Sequence, residues 1–255
     1  MLMDFQQLSK FNILLLGDIC QDIFVYGNCE RLSPEAPVPV FVEAHRNTML
    51  GMSGNVYNNL SQFPVKINFL SSGHGSTKVR YIDLKSSQHI MRIDEEKNFS
   101  PIELPNDLSI YDYVIISDYN KGSISEAIVE KIKQANKTIF VDSKRKDLSI
   151  YDGCILKINE KEHKESRIKQ NEKVIVTLGS KGASWSGKMF PTQEVEVRDV
   201  SGAGDTFFAS FVCYYMLTKS FDLSINFANI CASQVVQKSG TATLNLKDVK
   251  NEICI

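Results

Sequence analysis

A glycine-rich turn followed by an acid is the part of this sequence with the most specific chemistry. Residues 199–206 read Asp-Val-Ser-Gly-Ala-Gly-Asp-Thr and lead directly into a helical stretch, residues 207–217. The small residues 202–204 let the backbone approach a ligand closely, and the unpaired amides of a helix start point outward with the positive end of the dipole behind them. The turn therefore predicts an anion hole. The competing interpretation is a glycine turn in which Asp205 only caps the helix.

Asp205 is placed to act on a group held in that hole. A carboxylate there can accept the proton of an attacking hydroxyl while the amides hold the phosphoryl group being transferred. The helix dipole should lower the pKa of Asp205, which suits a loose transition state in which positioning of the nucleophile matters more than early deprotonation. The sequence has no G-x-x-x-x-G-K-[S/T] pattern, so a nucleotide would be held by this turn and not by a P-loop.

The composition limits the classes of protein to which the chain can belong. Its 255 residues are 43% hydrophobic and 23% charged, which is ordinary for a globular protein and excludes disorder as the main state. A net charge of -1 gives no general attraction to nucleic acid, and the apolar run 13–16 is far too short for a membrane span. The six cysteines are scattered without a C-x-x-C pair, which favours reduced thiols in a cytoplasmic protein over a zinc site or a disulfide framework.

Short apolar runs that alternate with segments of helical period predict parallel strands joined by crossover helices. The predicted strands are residues 13–16, 67–70, 113–117, 138–141 and 174–178. Most are apolar throughout, as expected for strands covered by helices on both faces. The predicted helices are residues 123–135, 206–217 and 223–238, with no clear helix between the fourth and fifth strands. Ser123 and Glu126 have capping-box spacing, and Gly240 should stop the last helix.

Two further stretches mix charged and apolar residues and do not fit a parallel sheet. Residues 38–42 follow a stiff proline-rich segment, and residues 78–83 with 88–94 read as a hairpin around residues 85–87. We interpret these stretches as a small sheet apart from the main body, either a lid over a site or a dimerisation surface. The alternative is that they are edge strands of the main sheet.

Motifs elsewhere in the chain agree with the glycine-rich turn and carry a family resemblance. Residues 199–205, the run Gly-Met-Ser-Gly-Asn at 51–55, the N-x-x-E pattern of Asn159 and Glu162, and residues 177–182 are similar to the signatures of ribokinase-like (PfkB) carbohydrate kinases. The resemblance spans residues 13–246. It implies one ribokinase-like domain over residues 1–255, an α/β three-layer sandwich with a mostly parallel central sheet and a small β-sheet lid at about 36–46 and 77–94.

The resemblance also implies an ATP- and Mg²⁺-dependent sugar kinase and a role for each matching residue. The catalytic residues would be Asp205, Gly202, Ala203 and Gly204. The sugar would be bound by Asp18, Asp22, Arg31, Gly51, Asn55, Asp118, Lys121 and Lys144. The nucleotide would be bound by Asn159, Thr177, Gly179, Gly182, Asn229 and Gly240, and Glu162 would act on Mg²⁺ through water. The alternatives are helix or strand caps for the polar residues and solvated surface positions for the basic ones.

Within the family the match narrows to one class of phosphosugar. Residues 31–39, Arg-Leu-Ser-Pro-Glu-Ala-Pro-Val-Pro, resemble kinases that phosphorylate D-glycero-β-D-manno-heptose 7-phosphate at its anomeric hydroxyl, a step towards lipopolysaccharide or capsule. A sugar that already bears a phosphate needs cationic partners. The candidates are Arg31, Lys78, Arg80, Arg92, Lys121 and Lys144.

Two departures from the family pattern concern the sugar side of the site. Met52 stands where the family has the second glycine of its N-terminal pair, and the helix and strand that should follow residues 67–70 are missing. An uncovered sheet face would favour pairing with a second copy, so we expect a homodimer through the lid. Two alternatives stay open: a family kinase of another sugar, and a trimmed relative that binds nucleotide or sugar phosphate without catalysis.

Overall fold

The computed structural model of the chain describes residues 4–73, 75–166, 168–169, 171–238, 240 and 242–250. His74 and Cys254 lie outside the described residues. Within these ranges no helix combines the length and the apolar character that crossing a membrane requires.

Twelve strands and six α-helices follow one another along the described residues. The strands are β1 (Asn12–Gly17), β2 (Ile19–Leu32), β3 (Pro39–Met52), β4 (Lys66–Leu70), β5 (Ser76–Asp83), β6 (His89–Glu95), β7 (Tyr113–Asp118), β8 (Thr138–Ser143), β9 (Ile155–Asn159), β10 (Val174–Thr177), β11 (Ala183–Trp185) and β12 (Lys188–Phe190). The helices are α1 (Ser53–Leu60), α2 (Glu126–Gln134), α3 (Glu160–Ser166), α4 (Ala203–Thr218), α5 (Phe221–Val235) and α6 (Leu246–Lys250).

Eight strands form the main sheet, in the order β12-β11-β10-β9-β8-β7-β1-β4. The strands from β10 to β4 in this order are parallel, and β11 and β12 add an antiparallel edge. Alternate residues of β1 pack on opposite faces: Ile13 and Leu15 join the core formed with α1, α4 and α5, whereas Leu14 and Leu16 join the core formed with α2. Burial on both faces explains why these strands are apolar throughout.

Four other strands form a second, smaller sheet, here called the lid sheet, in the order β3-β2-β5-β6. Strand β2 pairs antiparallel with β3, with two register shifts, and parallel with β5, which forms a hairpin with β6. Every residue of β6 and more than half of β3 are exposed, and burial is concentrated in the first half of β2. The two edge strands of this sheet, β3 and β6, are therefore thinly covered.

The structure confirms the α/β class, the five predicted strands and the separate small sheet. The edge-strand alternative is wrong, because the predicted hairpin pairs with β2 and not with the main sheet. The lid sheet is larger than residues 36–46 and 77–94, because β2 supplies a strand that the sequence does not predict. Strand β9 is also missed, because Lys157 interrupts its apolar run.

The helix boundaries differ from the prediction in ways that local contacts explain. Ser125, and not Ser123, caps α2, since its hydroxyl accepts a hydrogen bond from the Ile128 amide (3.3 Å). Helix α4 begins at Ala203, and α5 ends at Val235, ahead of Gly240. Helix α3 does lie between the fourth and fifth predicted strands, but none of its residues is buried, so it leaves no apolar period in the sequence.

Candidate active site

A cleft of about 930 Å³ opens where the carboxyl ends of β7 to β10 meet the start of α4. Open parallel sheets hold their ligands at this edge. The predicted site residues that line it are Lys144, Asn159, Thr177, Gly179, Gly182, Gly202, Ala203, Gly204, Asp205 and Asn229. Chain segments that are distant in sequence thus converge on one cavity.

The glycine-rich turn forms the start of α4. Gly202 precedes the helix with a φ of 82°, a left-handed conformation that glycine adopts without strain. The amide of Ala203 donates a hydrogen bond to the carbonyl of Val200 (3.2 Å), whereas the amides of Gly204 and Asp205 have no acceptor among the described residues. Both of these residues line the cleft. Unpaired amides at the positive end of a 16-residue helix offer a binding site for an anion.

Asp205 lies beside these amides, and its carboxylate is held from two sides. Its Oδ2 accepts a hydrogen bond from Asn55 Nδ2 (2.7 Å), and its Oδ1 accepts one from the Tyr119 hydroxyl (3.3 Å). Burial and the nearby Asp142 carboxylate raise the pKa of Asp205 against the opposing effect of two lysines. The expected lowering of this pKa by the helix dipole is therefore wrong. A carboxylate with a raised pKa is a stronger proton acceptor than an exposed aspartate.

Two lysines and two acids form a chain of ion pairs along one wall of the cleft. Lys157 Nζ donates to Asp142 Oδ2 (2.7 Å), while Lys144 Nζ lies 3.3 Å from Asp142 Oδ1 and 2.7 Å from Glu162 Oε1. Burial acts to raise the pKa of Asp142, but the two lysines outweigh it and the net shift is downward. Burial acts to lower the pKa of Lys144, but the two acids outweigh it and the net shift is upward. Asp142 and Lys144 are therefore stabilised in their charged forms.

Asn159 and Glu162 cap the start of α3 reciprocally. The Glu162 amide donates to Asn159 Oδ1 (2.8 Å), and the Asn159 amide donates to Glu162 Oε2 (2.8 Å). This is the helix-start arrangement that the sequence left open as an alternative. It leaves room for a ligand role as well, since Asn159 lines the cleft and each carboxylate oxygen of Glu162 retains acceptor capacity for water.

One part of the cleft lining, here called its apolar end, contrasts with the charged wall. Apolar residues that line the cleft include Val195, Val197, Val200, Phe207, Ala232 and Val236. Asn229 Nδ2 donates to the Phe190 carbonyl (2.8 Å) and so ties α5 to β12. Gly182 has a φ of 88°, and any side chain there would collide with the same carbonyl. The apolar residues, with a few fixed polar groups, suit a heterocyclic base.

Gly240 helps to hold the glycine-rich turn in place through a hydrogen bond. Its amide donates to Asp199 Oδ2 (3.1 Å), and Asp199 Oδ1 accepts from the Ser201 amide (2.8 Å). Asp199 thus joins the turn to the segment that follows α5.

Asp22, Gly51 and Asn55 lie at the junction of the lid sheet and α1. Asp22 Oδ1 accepts a hydrogen bond from the Arg80 guanidinium (2.5 Å), and both side chains are largely buried. A side chain on Gly51 would collide with the Asp22 carboxylate. Since Asn55 bonds to Asp205, this group of polar residues continues from the lid sheet to the end of the cleft where the free amides lie.

Tyr119 lies near a lysine of the lid sheet and a lysine that follows a strand of the main sheet. Lys78 Nζ of the lid sheet lies 6.0 Å from its ring centroid, and Lys144 Nζ of the main sheet region lies 5.6 Å from it. Burial, with the charges of Asp205 and Asp142, raises the pKa of Tyr119 well above its usual range. The phenol therefore stays protonated and donates to Asp205.

Asp18 and Asp118, two of the predicted sugar contacts, accept hydrogen bonds from the protein itself. Both are 0% exposed. Asp18 accepts hydrogen bonds from the amides of Tyr119, Lys121 and Ser123 (2.8, 3.1 and 3.2 Å). Asp118 accepts hydrogen bonds from the Asn120 amide, the hydroxyls of Ser143 and Tyr151, and the guanidinium of Arg145. These acids fix the loop that carries Tyr119.

Five of the six predicted basic residues are not among those that line the cleft, namely Arg31, Lys78, Arg80, Arg92 and Lys121. Arg92 pairs with Asp94 (2.8 Å). Arg31 lies in the exposed last part of β2, in the lid sheet. Lys121 Nζ pairs with Glu96 (2.6 Å).

Sequence reasoning assigns no chemical role to Tyr119 and Lys157, which line the cleft. The sequence carries a signal for Lys157, since it is the one charged residue of the apolar run 154–158. Tyr119 follows directly after strand β7, at the edge where parallel sheets place ligand groups.

Comparisons with known proteins give similarity over most of the chain. Residues 154–248 match the family model described as pfkB family carbohydrate kinase. The chain is 31% identical over 302 aligned positions to the bifunctional protein HldE of Sulfurimonas denitrificans, covering 93% of this chain and 63% of that protein. It is 30% identical to the bifunctional protein HldE of Granulibacter bethesdensis, covering 98% of this chain and 66% of that protein. The chain thus spans just under two thirds of the length of these relatives.

Solved structures share the fold at lower identity. Ribokinase from Thermotoga maritima superimposes with a TM-score of 0.71 at 18% identity, over 96% of this chain and 100% of that one. The Arabidopsis thaliana ribokinase complexed with ribose and ATP gives a TM-score of 0.69 at 17% identity, over 94% and 98%. The fold is ribokinase-like, with a mostly parallel main sheet and a separate four-stranded sheet.

Proposed function

We propose, from the premise that the chain belongs to the pfkB family of carbohydrate kinases, that it transfers the γ-phosphoryl group of ATP to a hydroxyl of a phosphosugar. The acceptor we propose is D-glycero-β-D-manno-heptose 7-phosphate, which would give the 1,7-bisphosphate. One observation carries the proposal: Asp205 lies next to two free amides at the start of α4, at the charged end of a cleft whose other end is apolar.

The shape and lining of the cleft support ATP as the phosphoryl donor. The valine-lined end suits the adenine base, and the amides of Gly204 and Asp205 suit the terminal phosphates. Lys144 and Lys157 add positive charge to the lining of the cleft. ATP bound along the cleft would bring its γ-phosphoryl group to Asp205.

Asp205 supplies the base for the acceptor hydroxyl. It takes the hydroxyl proton on a carboxylate oxygen as the sugar oxygen bonds to the γ-phosphorus and the bond from that phosphorus to the bridging oxygen breaks. Asn55 and Tyr119 orient the carboxylate through their hydrogen bonds. The free amides stabilise the charge on the phosphoryl oxygens during transfer.

The donor set near the phosphates is compatible with Mg²⁺. Glu162 and Asn159 offer hard oxygen atoms, and Mg²⁺ in such sites keeps several waters and is held largely by the nucleotide. Mg²⁺ would be held through water by Glu162 and Asn159, and it would neutralise charge on the ATP phosphates.

The lid sheet supports a phosphorylated acceptor. Lys78 of β5 and Lys144, which follows β8, lie 6.0 and 5.6 Å from the centroid of the Tyr119 ring. Arg80, also of β5, pairs with Asp22 at the junction of the lid sheet and α1. Cations in this region suit a sugar that already carries a phosphate. The run 31–39 of the sequence favours the heptose among such sugars.

We further propose that the chain forms a homodimer through the lid sheet. Large apolar side chains are exposed on it, namely Leu32, Val38, Val42, Leu84, Ile90, Met91 and Ile93. An exposed apolar sheet face of this kind is stabilised by pairing with a second copy.

The test is phosphorus NMR of the purified protein with ATP, Mg²⁺ and heptose 7-phosphate. A new anomeric phosphate signal with matching ADP formation is the expected result. A panel of free and phosphorylated sugars run in parallel separates acceptor identity from kinase activity. Transfer to another sugar alone would overturn the heptose assignment, and ATP binding without transfer to any sugar would favour the non-catalytic alternative.

A further inference from the structure

Lys157 is a buried cation that the sequence motifs leave without a role. It lies in β9, in register with Asp142 of the neighbouring strand β8. Alternation along β9 places it on the same face as Ile155, which belongs to the core formed with α4, whereas Leu156 and Ile158 belong to the opposite core. Its residue exposure is 3%, and it lines the cleft beneath the start of α4.

The ammonium group of Lys157 has unused hydrogen-bonding capacity. It carries three donors, and within the part of the chain that the structure describes it makes one hydrogen bond, to Asp142 Oδ2 (2.7 Å). A buried charged donor without acceptors is costly, so a group in the cleft that supplies acceptor oxygens would bind there favourably. Lys144 differs in this respect, because it is shared between two acids.

The position of the ammonium relative to the glycine-rich turn identifies that group. Lys157 Nζ lies 3.1 Å from the place that a Cβ would occupy on Gly204. The cation therefore stands against the backbone of the residue whose amide is free. An anion bound by the amides of Gly204 and Asp205 would lie within reach of both the amides and the ammonium.

We propose that Lys157 is a catalytic residue that donates a hydrogen bond to an oxygen of the phosphoryl group transferred from ATP. This inference rests on the proposed function. Lys157 keeps its proton throughout: the sugar oxygen bonds to the γ-phosphorus, the bond to the bridging oxygen breaks with its electron pair leaving on ADP, and the hydroxyl proton goes to Asp205. The ammonium stabilises the negative charge of the phosphoryl oxygens.

The first experiment measures ATP and ADP affinity without acceptor, by calorimetry, for the wild type and Lys157→Met. Loss of one charged hydrogen bond to the terminal phosphoryl group should weaken ATP binding about tenfold or more and change ADP binding much less. The matched control is Lys173→Met, an exposed lysine whose Nζ bonds the Gly153 carbonyl (2.9 Å), and it should leave both affinities unchanged. Turnover of Lys157→Met should fall about 100-fold.

A second variant separates the loss of the phosphoryl contact from a loss of folding. Lys157→Met leaves Asp142 without its buried partner, so the double variant Lys157→Met, Asp142→Asn removes the charge of both members. If a folded Lys157 variant keeps the wild-type ratio of ATP to ADP affinity, the inference is overturned. If the wild type transfers phosphoryl to no sugar while the affinity ratio still depends on Lys157, the proposed function fails and the phosphoryl contact stands.

Discussion

The main sheet and the lid sheet differ in how deeply their strands are buried. Strands β7 and β8 are buried at nearly every position, whereas β6 is exposed at all seven and β3 at most. The groups that we propose to hold the nucleotide, and Asp205 as the proposed base, are attached to the buried region. The cations proposed for the acceptor, Lys78 and Arg80, lie on β5, a partly buried strand of the lid sheet. The proposed chemistry thus depends on the more deeply buried sheet, and the proposed acceptor selection on the less buried one.

The largest effect that this division predicts is on turnover when the base is removed. Asp205→Asn keeps the shape of the side chain but cannot accept a proton, so turnover should fall about 10²- to 10⁴-fold. ATP affinity should be retained, because the amides of Gly204 and Asp205 are main-chain groups. Steady-state kinetics with a calorimetric binding control checks this. Unchanged turnover would remove the catalytic role from Asp205.

The pH dependence of the wild type sharpens the same point. Turnover should decline as the pH falls through the pKa of Asp205, and the decline should begin at a higher pH than for an exposed aspartate, because burial and Asp142 raise this pKa.

The stability of the fold should depend on pH in the opposite direction. The folded state binds this proton more tightly than the unfolded state, so the contribution of Asp205 to stability is present at low pH and is lost as the pH rises through the folded pKa. Asp205→Asn should therefore gain stability relative to the wild type as the pH rises.

The second prediction compares a buried side chain of the main sheet with an exposed side chain of the lid sheet. Phe140 in β8 is fully buried and packs against the rings of Tyr113, Phe211 and Tyr215, so Phe140→Ala should lower the free energy of unfolding by about 3–5 kcal/mol. Met91 in β6 is 49% exposed, and Met91→Ala should change the free energy of unfolding by no more than about 0.5 kcal/mol. Urea denaturation at one low protein concentration measures both. Equal losses would contradict the division between a packed sheet and a thinly covered one.

The sequence reveals part of each sheet. The five apolar strands predicted for the parallel sheet all belong to the main sheet, where two buried faces leave a continuous apolar run, and the stretches 38–42, 78–83 and 88–94 fall on β3, β5 and β6 of the lid sheet. Strand β2 escapes prediction because polar residues such as Gln21 and Asp22, whose partners lie on strands distant in sequence, interrupt its apolar residues. Strand β9 escapes because Lys157 is tolerated only through its ion pair with Asp142, which sequence spacing does not show.

The active site shows the same limit at the level of single residues. The glycine-rich turn is recognisable, because its backbone geometry needs small residues at fixed positions. The sequence does not reveal that Asp18 and Asp118 bind groups of the protein itself, because an acid at a strand end serves equally well to bind loop groups or a ligand. Their contact with a sugar stays a prediction. The direction of the Asp205 pKa shift is missed for a similar reason: burial of the carboxylate, and then the charge of Asp142 on a strand 63 positions earlier in the chain, raise this pKa.

A third prediction concerns the exposed face of the lid sheet. Ile93 is 47% exposed on β6, and Ile93→Glu should weaken the proposed dimer about tenfold or more, since pairing would then bury a charge. Ile110→Glu is the matched control, because Ile110 is 56% exposed and lies outside the lid sheet. Sedimentation equilibrium gives both dissociation constants. Equal effects of the two variants, or a monomeric wild type, would exclude the lid sheet as the dimer interface.

The smallest predicted effect lies at Met52, where the two regions join. Met52 is the last residue of β3 in the lid sheet, and α1 of the main body begins at the next residue. Its φ of 57° and ψ of -128° are strained for any residue except glycine, so Met52 adopts a backbone conformation that glycine adopts more easily. Its side chain is 4% exposed, which means that strain relief and loss of packing oppose each other in a single substitution.

A pair of variants separates these two effects. Met52→Ala and Met52→Gly both remove the packed side chain, and only glycine relieves the backbone strain. Glycine is normally the less stable of the two by about 0.5–1 kcal/mol, but here Met52→Gly should be more stable than Met52→Ala by about 1 kcal/mol. Thermal unfolding measures the order. Greater stability of the alanine variant would mean that the junction is unstrained, and the lid sheet would then be joined to the main body by an ordinary strand end.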